Sequence, residues 1–162
     1  MDVMSLKLSF TSLASRVSDF YKAHVFWRKI ERALALHRRG EARSDGLQLT
    51  SAKTTLHIEW LARDVHPWDR GLPRDQTEQL FSQQCLADAN AAISRLFAEV
   101  PVLDTIEVRV RRDPSQAPLM AGVVKRSDLY RSAGASIAMR LRSLGLKFRM
   151  HNMRLEPTDV SD

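Results

Sequence analysis

The stretch Leu56–Arg70, LHIEWLARDVHPWDR, constrains the fold of this 162-residue chain more than any other. Leu56, Ile58, Trp60 and Ala62 alternate with His57, Glu59, Leu61 and Arg63. Period two is the pattern of a strand with one face in a core and one in water, so His57 and Glu59 should share the outward face. Pro67 has no amide hydrogen and disfavours helical angles at His66, which ends the strand in a loop over Val65–Asp69. Trp68 is expected to fold back onto the body, because a large indole gains most from partial burial. His66, Asp69, Arg63 and Arg70 would then ring the strand end.

The same alternation returns at 105–111, where Ile106, Val108 and Val110 face inward and Glu107, Arg109 and Arg111 outward. Between the two strands, 74–98 reads as a helix with Phe81, Cys85, Ala89, Ala92, Ile93, Leu96 and Phe97 on one side. Pro73 suits its start, and Asp75 with Glu78 resembles a capping box. Asp113-Pro114-Ser115-Gln116 is turn chemistry, so 119–125 should return as a hairpin arm. Gly122 in that arm signals a bulge or a close backbone approach. Ser127 or Asp128 can cap a third helix that runs to Leu144 and stops at Gly145, and 146–155 reads as a last strand broken by Asn152. A short strand at Leu47–Leu49 can precede the central one.

Upstream, 9–39 reads as one long helix or two shorter ones, with apolar residues at helical spacing from Leu13 to Leu36 and an end at Arg38, Arg39 and Gly40. Its apolar stripe needs a cover: the second face of the sheet, a protein partner or another copy of the chain. Residues 1–162 form one domain, with the helical segment at 9–39, an α+β core at 47–155 and a frayed tail at 156–162. From Leu56 the order is strand, helix, strand, strand, helix, strand. That order predicts a split βαβ, ferredoxin-like core: an antiparallel four-stranded sheet with helices on one face.

Charge is spread unevenly. Residues 1–43 carry nine Lys/Arg against four acids, 44–104 five against nine, and 105–156 eleven against four, within a net charge of +6. Basic flanks around an acidic middle suit a polyanion partner, and equally suit oppositely charged elements packed side by side. Arg109, Arg111, Arg140, Arg142, Lys147 and Arg149 could merge into one positive surface for phosphate or nucleic acid. Only Tyr130 and Phe148 accompany them as aromatics, which argues against sequence-specific recognition of single strands.

A second candidate site gathers His57, Glu59, His66 and Asp69, whose imidazoles and carboxylates suit acid–base work or a divalent metal, though their spacing matches no metal motif. Phosphate-cradling glycine loops and the common hydrolase signatures are missing from the sequence, and no cofactor is implied. A lone Cys85 supports neither an internal disulfide nor a multi-cysteine zinc site, and falls on the buried helix stripe as a core residue. That single cysteine and the lack of a leader-like start point to the cytoplasm, and no run approaches the ~18 apolar residues of a spanning helix. The first functional expectation is therefore a cytoplasmic binding or assembly module for a protein partner or a polyanion. The alternative is a small metal-dependent or acid–base enzyme centred on the HPWD loop, residues 57–70.

Overall fold

The structure is a computed structural model that describes residues 24–34, 47–52, 54–131 and 136–158. Residues 24–33 are helical (α1). They are followed by β1 (Leu47–Ala52), β2 (Thr55–Leu61), a 3-10 turn (Pro67–Gly71), α2 (Arg74–Glu99), β3 (Thr105–Arg111) and β4 (Met120–Lys125). A second 3-10 turn (Arg126–Arg131), α3 (Ile137–Ser143), β5 (Leu146–Lys147), β6 (Arg149–His151) and β7 (Arg154–Glu156) complete the order.

The chain is α+β, but its sheet is neither four-stranded nor wholly antiparallel. Five strands lie in sequence order, β1-β2-β3-β4-β5. β2 and β3 are parallel and directly hydrogen-bonded, from Thr55↔Thr105 to Leu61↔Arg111. The split βαβ arrangement requires a third strand between the two that a helix connects; here α2 joins immediate neighbours. β1 pairs antiparallel with β2 over its six residues, so the expected short strand at Leu47–Leu49 extends to Ala52. Element order along the chain is the same in both arrangements, and only the spatial pairing separates them.

Alternation in β2 and β3 is realised as expected. Leu56, Ile58, Trp60, Ile106, Val108 and Val110 are buried in one cluster with Phe81, Cys85, Ala89, Ile93, Leu96 and Phe97 of α2. Ile30, Ala33 and Leu34 of α1 belong to that cluster. This part of the amino-terminal stripe is covered by the chain's own core, and the rest of 9–39 lies outside the described residues. α2 begins without a side-chain cap, because Asp75 and Glu78 reach outward instead, to Arg154 at 2.7 Å and to Arg112 at 2.7 and 2.8 Å.

Three local departures share a physical cause, which is tertiary contact overriding local propensity. The expected third helix is divided into the 3-10 turn at Arg126–Arg131 and α3, whose cap is Ser136 accepting from the Met139 N–H at 3.3 Å. Arg126 is held elsewhere: its guanidinium donates to the carbonyls of Phe97 (2.9 Å), Val100 (2.9 Å) and Leu103 (2.7 Å), closing the end of α2. The expected last strand is divided too. β5 pairs with β4 through only two residues, and Asn152 (φ 48°) and Met153 (φ 62°) turn the chain back to make the β6–β7 hairpin. Glu156 closes β7 rather than opening a tail, and the Thr158 N–H donates to the Pro118 carbonyl at 2.8 Å.

Gly122 marks a close approach, as its place in the strand suggested. A Cβ there would collide with the Gly145 carbonyl oxygen and stand 2.8 Å from the Leu146 Cα. Gly145 itself has φ +100°, the left-handed position that ends α3.

Candidate functional site

The outward face of the sheet carries the first half of the acid–base candidate. Parallel register sets His57 beside Glu107 and Glu59 beside Arg109. Glu107 Oε2 accepts from His57 Nδ1 at 2.7 Å, and its Oε1 accepts from Arg109 at 3.2 Å. Glu59 accepts from Arg111 Nε at 2.8 Å, and Arg111 also donates to the Gln116 carbonyl at 2.6 Å. With Thr50 opposite His57 on β1, the side chains of His57, Glu59, Glu107 and Arg109 line an open depression of about 300 Å³. Each ionic group there already has a partner of opposite sign.

The other half lies elsewhere. After Ala62 the chain leaves the sheet and runs along α2, where Arg63 forms a two-bond pair with Asp88 at 2.7 and 2.9 Å. Gln84 donates to the Arg63 and Asp64 carbonyls at 3.1 and 3.2 Å, and Val65 is buried. α2 covers the inward face, while His57 and Glu59 are on the outward one. His57, Glu59, His66 and Asp69 therefore do not converge. Among the described residues, no group of three or more His, Cys, Asp and Glu is placed to hold a metal ion.

Trp68 does not anchor the loop, contrary to the expectation from its size: it is 88% exposed. The anchor is the preceding segment, through Val65 and the bonds to Gln84 and Asp88. Trp60, on the inward face of β2, is the indole buried in the core, at 2% exposure. The turn that presents Trp68 is nonetheless ordered by three bonds. The Trp68 N–H donates to His66 Nδ1 (3.4 Å), the Asp69 N–H to the His66 carbonyl (2.8 Å) and the Leu72 N–H to the Asp69 carbonyl (3.2 Å). The His66 and Trp68 rings stack at 6.3 Å with an interplanar angle of 27°.

The six basic candidates separate into two groups. Arg109 and Arg111 are engaged in the ion pairs of the sheet face, and Arg140 has its Nε shut away from solvent without a partner. Arg142, Lys147 and Arg149 come together. They line one cleft of about 500 Å³ with Leu146, Phe148, Met150 and Thr158, and among the described residues no carboxylate lines it. The Arg142 guanidinium sits 4.8 Å above the Phe148 ring, which holds it in place. Glu156 is opposite Arg149 in the β6–β7 register, yet the two form no ion pair.

Next to that cleft, the junction of α2 with the β6–β7 hairpin is charge-balanced. Arg112 pairs with Glu78 and Arg154 with Asp75. The Glu78 carboxyl is held below its ordinary range by its bonds to Arg112, against a smaller opposing effect of burial. Cys85 is buried, and burial with a smaller contribution from Asp88 pushes its thiol up to about 12. It is an inert core residue at neutral pH, as its stripe position implied.

Sequence reasoning missed two partners, Asp88 for Arg63 and Glu107 for His57. Glu107 was marked as outward by its alternation, but only the parallel register places it at His57. Nothing in the spacing could mark Asp88, which is 25 residues from Arg63. No protein-family model matches this chain, and comparison with curated proteins and with solved structures finds no match.

Proposed function

We propose that this chain is a binding module that holds a polyanion against its carboxyl-terminal face, with Arg142, Lys147 and Arg149 as the contacting cations. The observation that carries the proposal is the cleft these three share with apolar Leu146, Phe148 and Met150, which no carboxylate of the described residues lines. Phosphate groups favour such a surface because each contacted phosphate releases condensed counterions. The net charge of +6 adds a long-range attraction for anions. The acid–base alternative has less support, since its four residues lie in two separate places and those on the sheet face are already paired.

The test is the salt dependence of binding to heparin and to duplex DNA. Each phosphate contacted on B-form DNA contributes ~0.9 to the log–log slope of affinity against salt. Replacing Arg142, Lys147 and Arg149 together with serine should lower that slope by about 2–3 and leave the melting temperature nearly unchanged, because exposed charges contribute little to stability. An unaltered slope in the triple variant refutes the assignment, as does failure of the unaltered protein to bind either polyanion at low salt.

A further inference from the structure

We infer that the polyanion is single-stranded nucleic acid, with a base stacked on Trp68 while the backbone follows the cationic cleft. This rests on the polyanion reading and adds the class of ligand. A large indole left 88% exposed on a turn fixed by three hydrogen bonds is a pre-formed flat platform. Any base has a π-face that can stack on it, so such a platform binds single strands with little regard to sequence. Duplex bases are already stacked and do not offer that face. The His66 ring stacks beside the indole, Arg70 within the turn is exposed, and so is Arg74 just after it.

Topology puts the platform and the cleft at the same end of the molecule. β2 and β3 are parallel, so their carboxyl ends lie together, at Leu61 and Arg111. Val110 pairs with Met120, which places the start of β4 there as well. Lys147 pairs with Ala121, so β5 also runs toward that end, and the chain then enters the β6–β7 hairpin. The hairpin is tied to the first turns of α2 by Arg154–Asp75 at 2.7 Å and by Leu155 N–H to Ser82 Oγ at 2.9 Å. α2 starts six residues after Trp68. Tyr130, 87% exposed, is not part of this arrangement. It lies at the far end of α2, next to the Arg126 carbonyl contacts, about 40 Å away along a 26-residue helix.

The experiment compares a short oligo(dT), an abasic strand of the same length and heparin, with the full chain and its Trp68→Ala and Trp68→Phe variants. Trp60 is buried and Trp27 partly buried, so quenching on ligand addition reports mainly on Trp68. Stacking predicts quenching by oligo(dT) and a loss of about tenfold or more in its affinity on Trp68→Ala. Trp68→Phe should recover most of that loss. Heparin affinity should be the same in all three proteins. If oligo(dT) binds without quenching, if Trp68→Ala binds it normally, or if the abasic strand binds as well as oligo(dT), the stacking inference is overturned while heparin binding keeps the polyanion reading. If neither heparin nor oligo(dT) binds, both readings fall, and Trp68 is then a contact for a protein partner.

Discussion

Arg126 provides the sharpest test of how this fold is held together. Replacing it with alanine removes three charge-assisted hydrogen bonds to the carbonyls of Phe97, Val100 and Leu103, together with a cation–π contact at 4.9 Å from the Phe97 ring centroid. Bonds to a charged group contribute ~1.5–3 kcal/mol each where they are well desolvated. Arg126 is half-buried, so water can replace part of the set, and one guanidinium serves all three acceptors. The positive charge at the negative pole of α2 adds ~0.3–1 kcal/mol. The expected loss is about 3–5 kcal/mol. For a domain of this size that corresponds to a fall of about 6–20 °C in Tm by calorimetry or circular dichroism. Lysine keeps the charge but cannot reach three carbonyls at once, so Arg126→Lys should recover only about a third of the loss. A loss below ~1 kcal/mol in Arg126→Ala, or full recovery with lysine, would refute the reasoning.

Other substitutions probe single contacts. Trp68→Ala should change stability by less than ~0.5 kcal/mol in urea unfolding, since its side chain is exposed, whereas truncating a buried aromatic such as Trp60 costs ~3–5 kcal/mol. Gly122→Ala should cost at least ~1–3 kcal/mol, because its new methyl meets backbone atoms of Gly145 and Leu146 that cannot swing aside, and a melt at wild-type temperature would contradict that packing. Met153→Gly should raise Tm slightly: a left-handed non-glycine residue costs ~1–2 kcal/mol, of which added unfolded-state entropy cancels part. The Glu78–Arg112 pair should contribute stability that is fully present above the ordinary glutamate value of 4.5 and is lost as pH falls through the lowered folded value, so Glu78→Gln should flatten the acid side of a Tm–pH curve. Cys85 should react with a thiol reagent at neutral pH only as fast as the protein opens, and rapid labelling of the native chain would show that its burial is wrong.

Period two at 56–62 and 105–111, and the apolar stripe of 74–98, were enough to identify the two central strands, the helix between them and the inward side of each. These signals are local. They reflect how a residue's neighbours two or four places away share a face, and burial of Leu56, Ile58, Val108 and Ile93 follows from them directly. Glycine chemistry was local in the same sense, at Gly122 and Gly145. Outward placement of His57, Glu59, Glu107, Arg109 and Arg111 was also readable from alternation alone.

What those outward residues meet was decided by register, which no single strand carries. Direct pairing of β2 with β3 set Glu107 at His57 and made the sheet mixed, where the same element order would equally suit a split arrangement. The hold on the preceding segment decided Trp68, because Val65 is buried and Gln84 and Asp88 of α2 bind Arg63 and Asp64, after which the turn leaves the indole in solvent. Long-range hydrogen bonding decided Arg126, whose acceptors lie 23 to 29 residues away and are backbone carbonyls without a side-chain signature. The cleft of Arg142, Lys147 and Arg149 brings together the end of α3, β5 and the start of β6 with Thr158, which returns to it after the turn at Asn152 and Met153. Local pattern specifies the elements and their apolar faces, while pairing, packing and the satisfaction of distant carbonyls specify which polar groups come together.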